Sequence, residues 1–361
     1  MTKAYTVALA VALLGIHERL AMKIVRIIST AQADPCLIVT LTGSMGGPPT
    51  FNGLAGPGTL VQYGDISNNC NAVKLQFDAG RGTNMRLSQI GVPVEQLNAI
   101  FFTHMHTDHT EGFADILQLR WHFNSAGPKI DVVCSSDTES PLGFTMSCEK
   151  FALHIGDAFI QSGEIAQRLS EVKERLAGGP AYLTNIITFE PKNEPEVVWS
   201  SGDVRVSAIR STHIVGHASY RVDTLAGSVV IGGDAGNDTV SPPRASSTSD
   251  QVEKLAKGAD IIAHSTIHPI MGPDQDSTMP PLLFYRQSTA SDLGAMAKRA
   301  GARYLMLTHL LPPIGAERQG PWKILGGGLT EADYKKSVQE SGFPGNTVIG
   351  ADLASIRLPA K

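Results

Sequence analysis

Charge and aromatic side chains are both scarce: 18% of the 361 residues are charged and 6% are aromatic. Net charge is only −4, from 30 Lys plus Arg against 34 Asp plus Glu, which excludes a domain that grips nucleic acid by bulk positive charge. No apolar run reaches the roughly 20 residues that span a bilayer, so no membrane span is expected. The four cysteines, Cys36, Cys70, Cys134 and Cys148, show no CxxC spacing, which argues against a structural zinc knuckle. Internal repeats are missing, and the Ser/Pro-rich stretch 235–250 is the one low-complexity tract. A hydrophobic share of 42% excludes a disordered chain and supplies a sizeable core. At about 150 residues per domain the length allows two domains or one large α/β domain.

Residues 5–16 form a short apolar run behind Lys3, and Ala31-Gln32-Ala33 offers a small-x-small cleavage pattern before Asp34. Residues 1–33 are therefore expected to be a signal peptide; charges at His17, Glu18, Arg19, Lys23 and Arg26 keep open an amphipathic N-terminal helix or a true start at Met22. Export would place the protein in the periplasm or outside the cell and allow one disulfide. Otherwise it is cytoplasmic, with buried thiols.

Alternating or continuous apolar runs predict strands at 36–43, 59–64, 72–80, 97–103, 130–135, 204–211, 219–224, 228–234, 259–265 and 303–309. Helical periodicity predicts helices at 110–123, 251–257 and 289–300. One long or two shorter helices are expected over 149–176, stopped by Ala177-Gly178-Gly179-Pro180. This order describes a layered α/β fold with polar residues gathered at strand C-termini. One catalytic domain over 34–361 is the economical reading.

The eleven histidines are the unusual feature, and their placement carries the chemistry. Thr103-His104-Met105-His106-Thr107-Asp108-His109 crowds three imidazoles and a carboxylate into one turn after a buried strand. Such groups demand partners when packed together, and a divalent cation converts the crowding into coordination. Alternation lets His104 and His106 address one ion, while the turn into the next helix swings Asp108 and His109 toward a second. Imidazole with carboxylate suits zinc, with manganese or iron as alternatives. His213, Asp234 and His309 each stand where an apolar strand ends. Singly each reads as a cap or surface residue; in this order, behind the histidine run, they support one another. His17, His122 and His154 lie outside every motif.

These motifs together resemble the metallo-β-lactamase superfamily of hydrolases, in its ribonuclease Z and arylsulfatase branch. LQFDAGRGTNMRL (75–87) is similar to that branch's strand-turn signature, STHIVGHASYRV (211–222) to its third metal motif, and SDLGAMAKRAGARYLMLTHL (291–310) to its last helix and strand. The likeness runs from about Cys36 to Leu311. It implies a four-layer αββα sandwich and, by family resemblance, a homodimer. It assigns His104, His106 and His213 to one ion, Asp108, His109 and His309 to the other, and Asp234 to both. Asp78 becomes an acceptor that orients a histidine. His217 is the runner-up for the place given to His213. ADIIAHSTIHP (259–269) is similar to the segment that reads His-Glu-Ala-Thr in ribonuclease Z, which makes His264 the expected proton donor and, with Asp108, a candidate catalytic residue. Ser265 stands where that family carries the glutamate that orients the histidine. His268 is a substitute donor or a plain loop residue.

The implied reaction uses a hydroxide shared between two ions about 3.5–4 Å apart. The acidic balance, the helical insert ahead of His213 and a secretion signal favour a small anionic ester as substrate: an aryl sulfate, or a phosphodiester of cyclic-nucleotide size. A ribonuclease Z-type tRNA 3′ endonuclease and a lactone or β-lactam hydrolase are the alternatives, and a non-catalytic metal-binding scaffold is the reading from another class.

Overall fold

A computed structural model describes residues 34–175 and 178–359. The expected signal peptide or N-terminal helix, residues 1–33, lies outside them. The strands run β1 (Pro35–Gly43), β2 (Gly58–Asp65), β3 (Val73–Phe77), β4 (Ala99–Phe101), β5 (Ile130–Ser135), a small hairpin β6 (Thr138–Glu139) and β7 (Thr145–Met146), and β8 (Thr184–Phe189). Then come β9 (Glu196–Ser201), β10 (Val204–Arg210), β11 (Ala218–Thr224), β12 (Gly227–Ile231), β13 (Ile261–Ile267) and β14 (Tyr304–Leu311). A second small hairpin, β15 (Arg318–Gln319) and β16 (Trp322–Lys323), precedes β17 (Asn346–Ile349) and β18 (Ser355–Leu358).

Two seven-stranded sheets result, ordered β18-β1-β2-β3-β4-β5-β8 and β17-β14-β13-β12-β11-β10-β9. Each is antiparallel at one end and parallel at the other, where β3-β4-β5-β8 and β12-β13-β14-β17 run side by side. The strand period of two sets the layers. Ala99 and Phe101 of β4 face the core between the sheets, whereas Ile100 faces a helix layer. In β13, Ile261 and Ala263 face the same inter-sheet core, and Ile262 faces the other helix layer. Phe77 stacks on Phe101 at 4.6 Å inside that core, and the Tyr220 hydroxyl donates to the Phe102 carbonyl at 2.8 Å. Helices Thr83–Gln89, Phe113–Asn124 and Cys148–Gln161 cover the first sheet; Asp250–Ala256, Ala290–Ala300 and Glu331–Gln339 cover the second. The architecture is the αββα sandwich expected.

Several local expectations need correction. β4 is shorter than 97–103, because Thr103 already turns toward the ligand cluster and its amide bonds to Asp78 instead of a strand. The 149–176 segment forms two helices, the second of the two options expected, split where Gly163 takes a φ of +83°, but the second helix ends at Glu171, ahead of the Gly-Gly-Pro stop. β8 and β9, which follow these helices, and β17 and β18 near the C-terminus were not expected. All four cysteines pair: Cys36–Cys70 and Cys134–Cys148, two disulfides where at most one was expected. Among the described residues no helix is long and apolar enough to cross a membrane.

Candidate metal centre

The site forms where the C-terminal ends of the two sheets' parallel strands meet. After β3 the chain turns at Asp78, whose φ is +53°. The Asp78 carboxylate accepts from the Thr103 amide, the Thr103 hydroxyl and His109 Nδ1, each at 2.8 Å. Gly80 allows this turn to underlie the histidine run, since a Cβ there would stand 2.4 Å from the Asp108 carbonyl. β4 delivers Thr103 and His104, and the single turn Thr107–Thr110 swings Asp108 and His109 inward. From the second sheet, β10 leads to His213, β12 to Asp234, and β14 to His309. The β13–β14 register shifts at His309, which also sits at φ +47°; this re-aims its ring. Two non-glycine residues held at positive φ in one place are the kind of local strain that clusters at functional sites.

The sequence-predicted ligands converge. His104 Nε2 lies 2.9 Å from His106 Nδ1, and His213 Nε2 lies 3.4 Å from the same atom. His309 Nε2 lies 3.2 Å from Asp108 and 3.1 Å from Asp234. Asp234 is also 3.5 Å from His109 Nε2 and 3.7 Å from His213 Nε2, so its carboxylate reaches both halves of the cluster. Three sets of donor atoms fall within 4.8 Å of one another: His104, His106, His213; His104, His109, Asp234; and Asp108, His109, His309.

Burial lowers the His104 and His106 pKa values and brings His213 down to about 3, so these rings are neutral. Burial would raise Asp108, but His109 and His309 outweigh it and hold the carboxyl at about 2; His309 and His109 likewise hold Asp234 well below the usual range. His109 is the exception: burial opposes its charge, yet Asp234, Asp78 and Asp108 together raise it well above an ordinary histidine. Neutral imidazoles and ionised carboxylates are the forms that ligate metals, so each of these groups but His109 is already in that form, and a cation at His109 Nε2 would take the place of its proton. Among the described residues His109 Nε2 and Asp234 Oδ1 are buried without a hydrogen-bond partner, as atoms reserved for a cation would be. The donor set fits divalent ions.

His217, the runner-up, is spent elsewhere: Nδ1 meets the Ser211 hydroxyl at 2.8 Å and Nε2 accepts the Asp234 amide at 3.2 Å. The expected donor His264 is fully buried behind Gly232, where a Cβ would stand 2.0 Å from its ring, and it does not line the cavity beside the cluster. Its Nδ1 lies 2.7 Å from the Ser265 carbonyl, and burial lowers its pKa to about 4. His268 caps the turn Pro269–Met271 by accepting the Ile270 amide, a structural role. His122 and His154 stand apart, beside Glu164 and Asp157.

A cavity of about 500 Å³ opens against His106, Asp108, His213, Asp234 and His309. Pro48, Pro49, Met105, Met279, Leu283, Leu311 and Trp322 make its wall mostly apolar; beside the ligand cluster, Thr107, Arg286, Gln287 and Gln319 are the polar exceptions. Sequence reasoning missed this wall, because most of it comes from loops, from the five-residue helix Pro281–Tyr285 and from the two-residue strand β16, all too short to show a periodicity.

Residues 66–267, more than half of the chain, match the family model described as Anti-Pycsar protein Apyc1. The chain belongs to this family. It is also similar to ribonuclease Z of Mycobacterium bovis, 26% identical over 325 residues that cover 89% of this chain and 98% of that one. Among solved structures it resembles the metallo-β-lactamase fold protein YhfI from Bacillus subtilis, at TM-score 0.56 and 19% identity, covering 90% of this chain and 99% of that one. Human tRNase Z, short form, is as similar in fold, at TM-score 0.56 and 15% identity, covering 90% of this chain and all of that one. This Apyc1-family chain therefore has the metallo-β-lactamase fold, in the ribonuclease Z branch. It is a metal-dependent hydrolase of ester bonds.

Proposed function

We propose that the chain is a binuclear phosphodiesterase, with His104, His106 and His213 holding one divalent ion, Asp108, His109 and His309 the other, and Asp234 touching both. Zinc is the first choice, with manganese or iron as alternatives. The observation that carries this is the reach of Asp234 toward His109, His213 and His309 at once. Ions bound there would bring the pKa of water toward neutrality and neutralise charge on a phosphoryl oxygen. Asp78 holds His109 in the tautomer that presents Nε2, and His217 fixes the backbone of Asp234.

A phosphodiester fits better than a sulfate ester, because the full-length relatives are named as ribonucleases, enzymes that cut phosphodiester bonds. The sulfatase reading therefore gives way to the nucleotide one. A cavity of about 500 Å³ is ordinary for a small-molecule ligand and supports one nucleotide-sized group at the site. Near-full-length similarity to ribonuclease Z supports a second reading, cleavage at the 3′ side of a tRNA. Strands from Pro35 to Leu358 interleave in the two sheets, which supports one catalytic domain over 34–361. The homodimer implied by family resemblance is part of the proposal, and light scattering checks it. The two disulfides bear on location, since such bonds persist in oxidising compartments and are rare in the cytosol.

The test is reconstitution with zinc or manganese and parallel assay of bis(4-nitrophenyl) phosphate, a cyclic mononucleotide, a precursor tRNA, 4-nitrophenyl sulfate and a cephalosporin. Turnover of the phosphodiesters is expected. Preference for the tRNA over both small diesters selects the second reading, and preference for the sulfate or the cephalosporin overturns both.

A further inference from the structure

With the proposed ligands set aside, Arg286 is the one ionisable side chain among the described residues lining the cavity. It follows the short helix Pro281–Tyr285, and its carbonyl lies 3.4 Å from His213 Nδ1. Gly236, two residues past Asp234, lets this segment close in, since a Cβ there would stand 2.6 Å from the Arg286 carbonyl. The Arg286 backbone is thus locked against the cluster on two sides. Its Nε is buried with no hydrogen-bond partner among the described residues, and so is Oε1 of the neighbouring Gln287. Burial lowers the Arg286 pKa while Asp234 and Asp108 oppose that, so the guanidinium lies within the field of both carboxylates and stays charged. A desolvated guanidinium donor without a partner is costly, and an anionic oxygen is the partner it fits best.

Among the described residues lining the cavity, none outside the ligand cluster is suited to protonate a departing oxygen. His264 stands behind Gly232, outside the lining, and guanidinium does not surrender a proton near neutrality.

We propose that Arg286 is a catalytic residue that binds the substrate phosphate and stabilises the departing oxygen by charge alone, with no side chain protonating it. This rests on the phosphodiesterase reading. Hydroxide oxygen bonds to phosphorus and the bond from phosphorus to the leaving oxygen breaks. The electron pair stays on that oxygen, which faces the guanidinium and takes its proton afterwards from bulk water. Rates then depend on leaving-group acidity, and Arg286 matters most for the least acidic leaving groups.

The experiment compares metal-loaded wild type, Arg286→Lys and Arg286→Ala on methyl aryl phosphodiesters whose phenols span several pKa units. Metal content is measured on each, and binding of dimethyl phosphate is followed by tryptophan fluorescence, with Trp322 in the cavity wall as reporter. Arg286→Ala should keep its metal and bind dimethyl phosphate at least about tenfold more weakly. It should lose about 10²–10³ in kcat/KM, as removal of one charge-stabilising donor does elsewhere. The loss should grow as the phenol becomes less acidic; Arg286→Lys should recover part of it, and added guanidinium ion should partly rescue Arg286→Ala. An Arg286→Ala variant within about twofold of wild type across the series, with unchanged dimethyl phosphate affinity, would overturn the proposal. A loss equal for every leaving group would overturn its charge-stabilisation half. A wild type that hydrolyses none of the diesters overturns the phosphodiesterase reading instead, and the binding comparison alone then decides whether Arg286 holds the anion.

Discussion

Asp78 Oδ2 and His109 Nδ1 lie 2.8 Å apart in the buried floor of the site, and the same carboxylate holds the amide and hydroxyl of Thr103. One side chain at the end of β3 thus fixes both ends of the histidine run. Asp78→Asn should fold but present His109 poorly, and weaken metal binding or activity by about 10–100-fold, the usual effect of losing such a partner. Competition with a chelator of known zinc affinity measures it.

His213 and His217 are four residues apart and should behave differently. His213→Ala should lower bound metal by about one equivalent per chain and abolish turnover. His217→Ala removes the acceptor of the Asp234 amide and a partner of Ser211, so it should cost about 1–3 kcal/mol of stability while bound metal stays near the wild-type count. Elemental analysis beside denaturant unfolding separates the two; equal metal loss in both variants contradicts the assignment.

Tyr220 ties the second sheet to the strand that ends in the ligand run, through its bond to the Phe102 carbonyl. Tyr220→Phe leaves that buried acceptor unpaired and should destabilise by about 1–3 kcal/mol. Urea unfolding of the metal-loaded protein checks it, and an unchanged midpoint would argue that the bond contributes nothing.

The disulfides close short loops: 34 residues separate Cys36 from Cys70, and 14 separate Cys134 from Cys148. Each should contribute about 2–4 kcal/mol. Alkylation and mass analysis of protein from its native host should find no free thiol if it matures in an oxidising compartment, and four if it matures in a reducing cytosol. Reductant should lower Tm in the first case only.

How far the sequence spoke depended on whether function or packing concentrated the signal. Buried strands such as VVIGG and YLMLTH read clearly because both faces are covered and nearly every residue is apolar or a ligand. The run from His104 to His109 was legible because crowded imidazoles have no ordinary packing role. By contrast, β9, β17 and β18 lie next to or at sheet edges, are four to six residues long, and alternate with exposed polar residues that resemble loop. Cysteine pairing is a property of distance in space and left no trace in spacing. The proton-donor expectation at His264 failed to reach the cavity because Gly232 packs across its ring. Arg286 and Gln287 face the site from a loop and Trp322 from a two-residue strand, where no periodicity announces which side chains turn inward.

The most direct measurement is titration of chelator-stripped protein with zinc or manganese, following bis(4-nitrophenyl) phosphate hydrolysis and bound metal together. Turnover should be absent in the stripped protein and reach its maximum at about two ions per chain, with both lost in His104→Ala and Asp234→Ala. Full turnover by the stripped protein, or by either variant, would contradict the account.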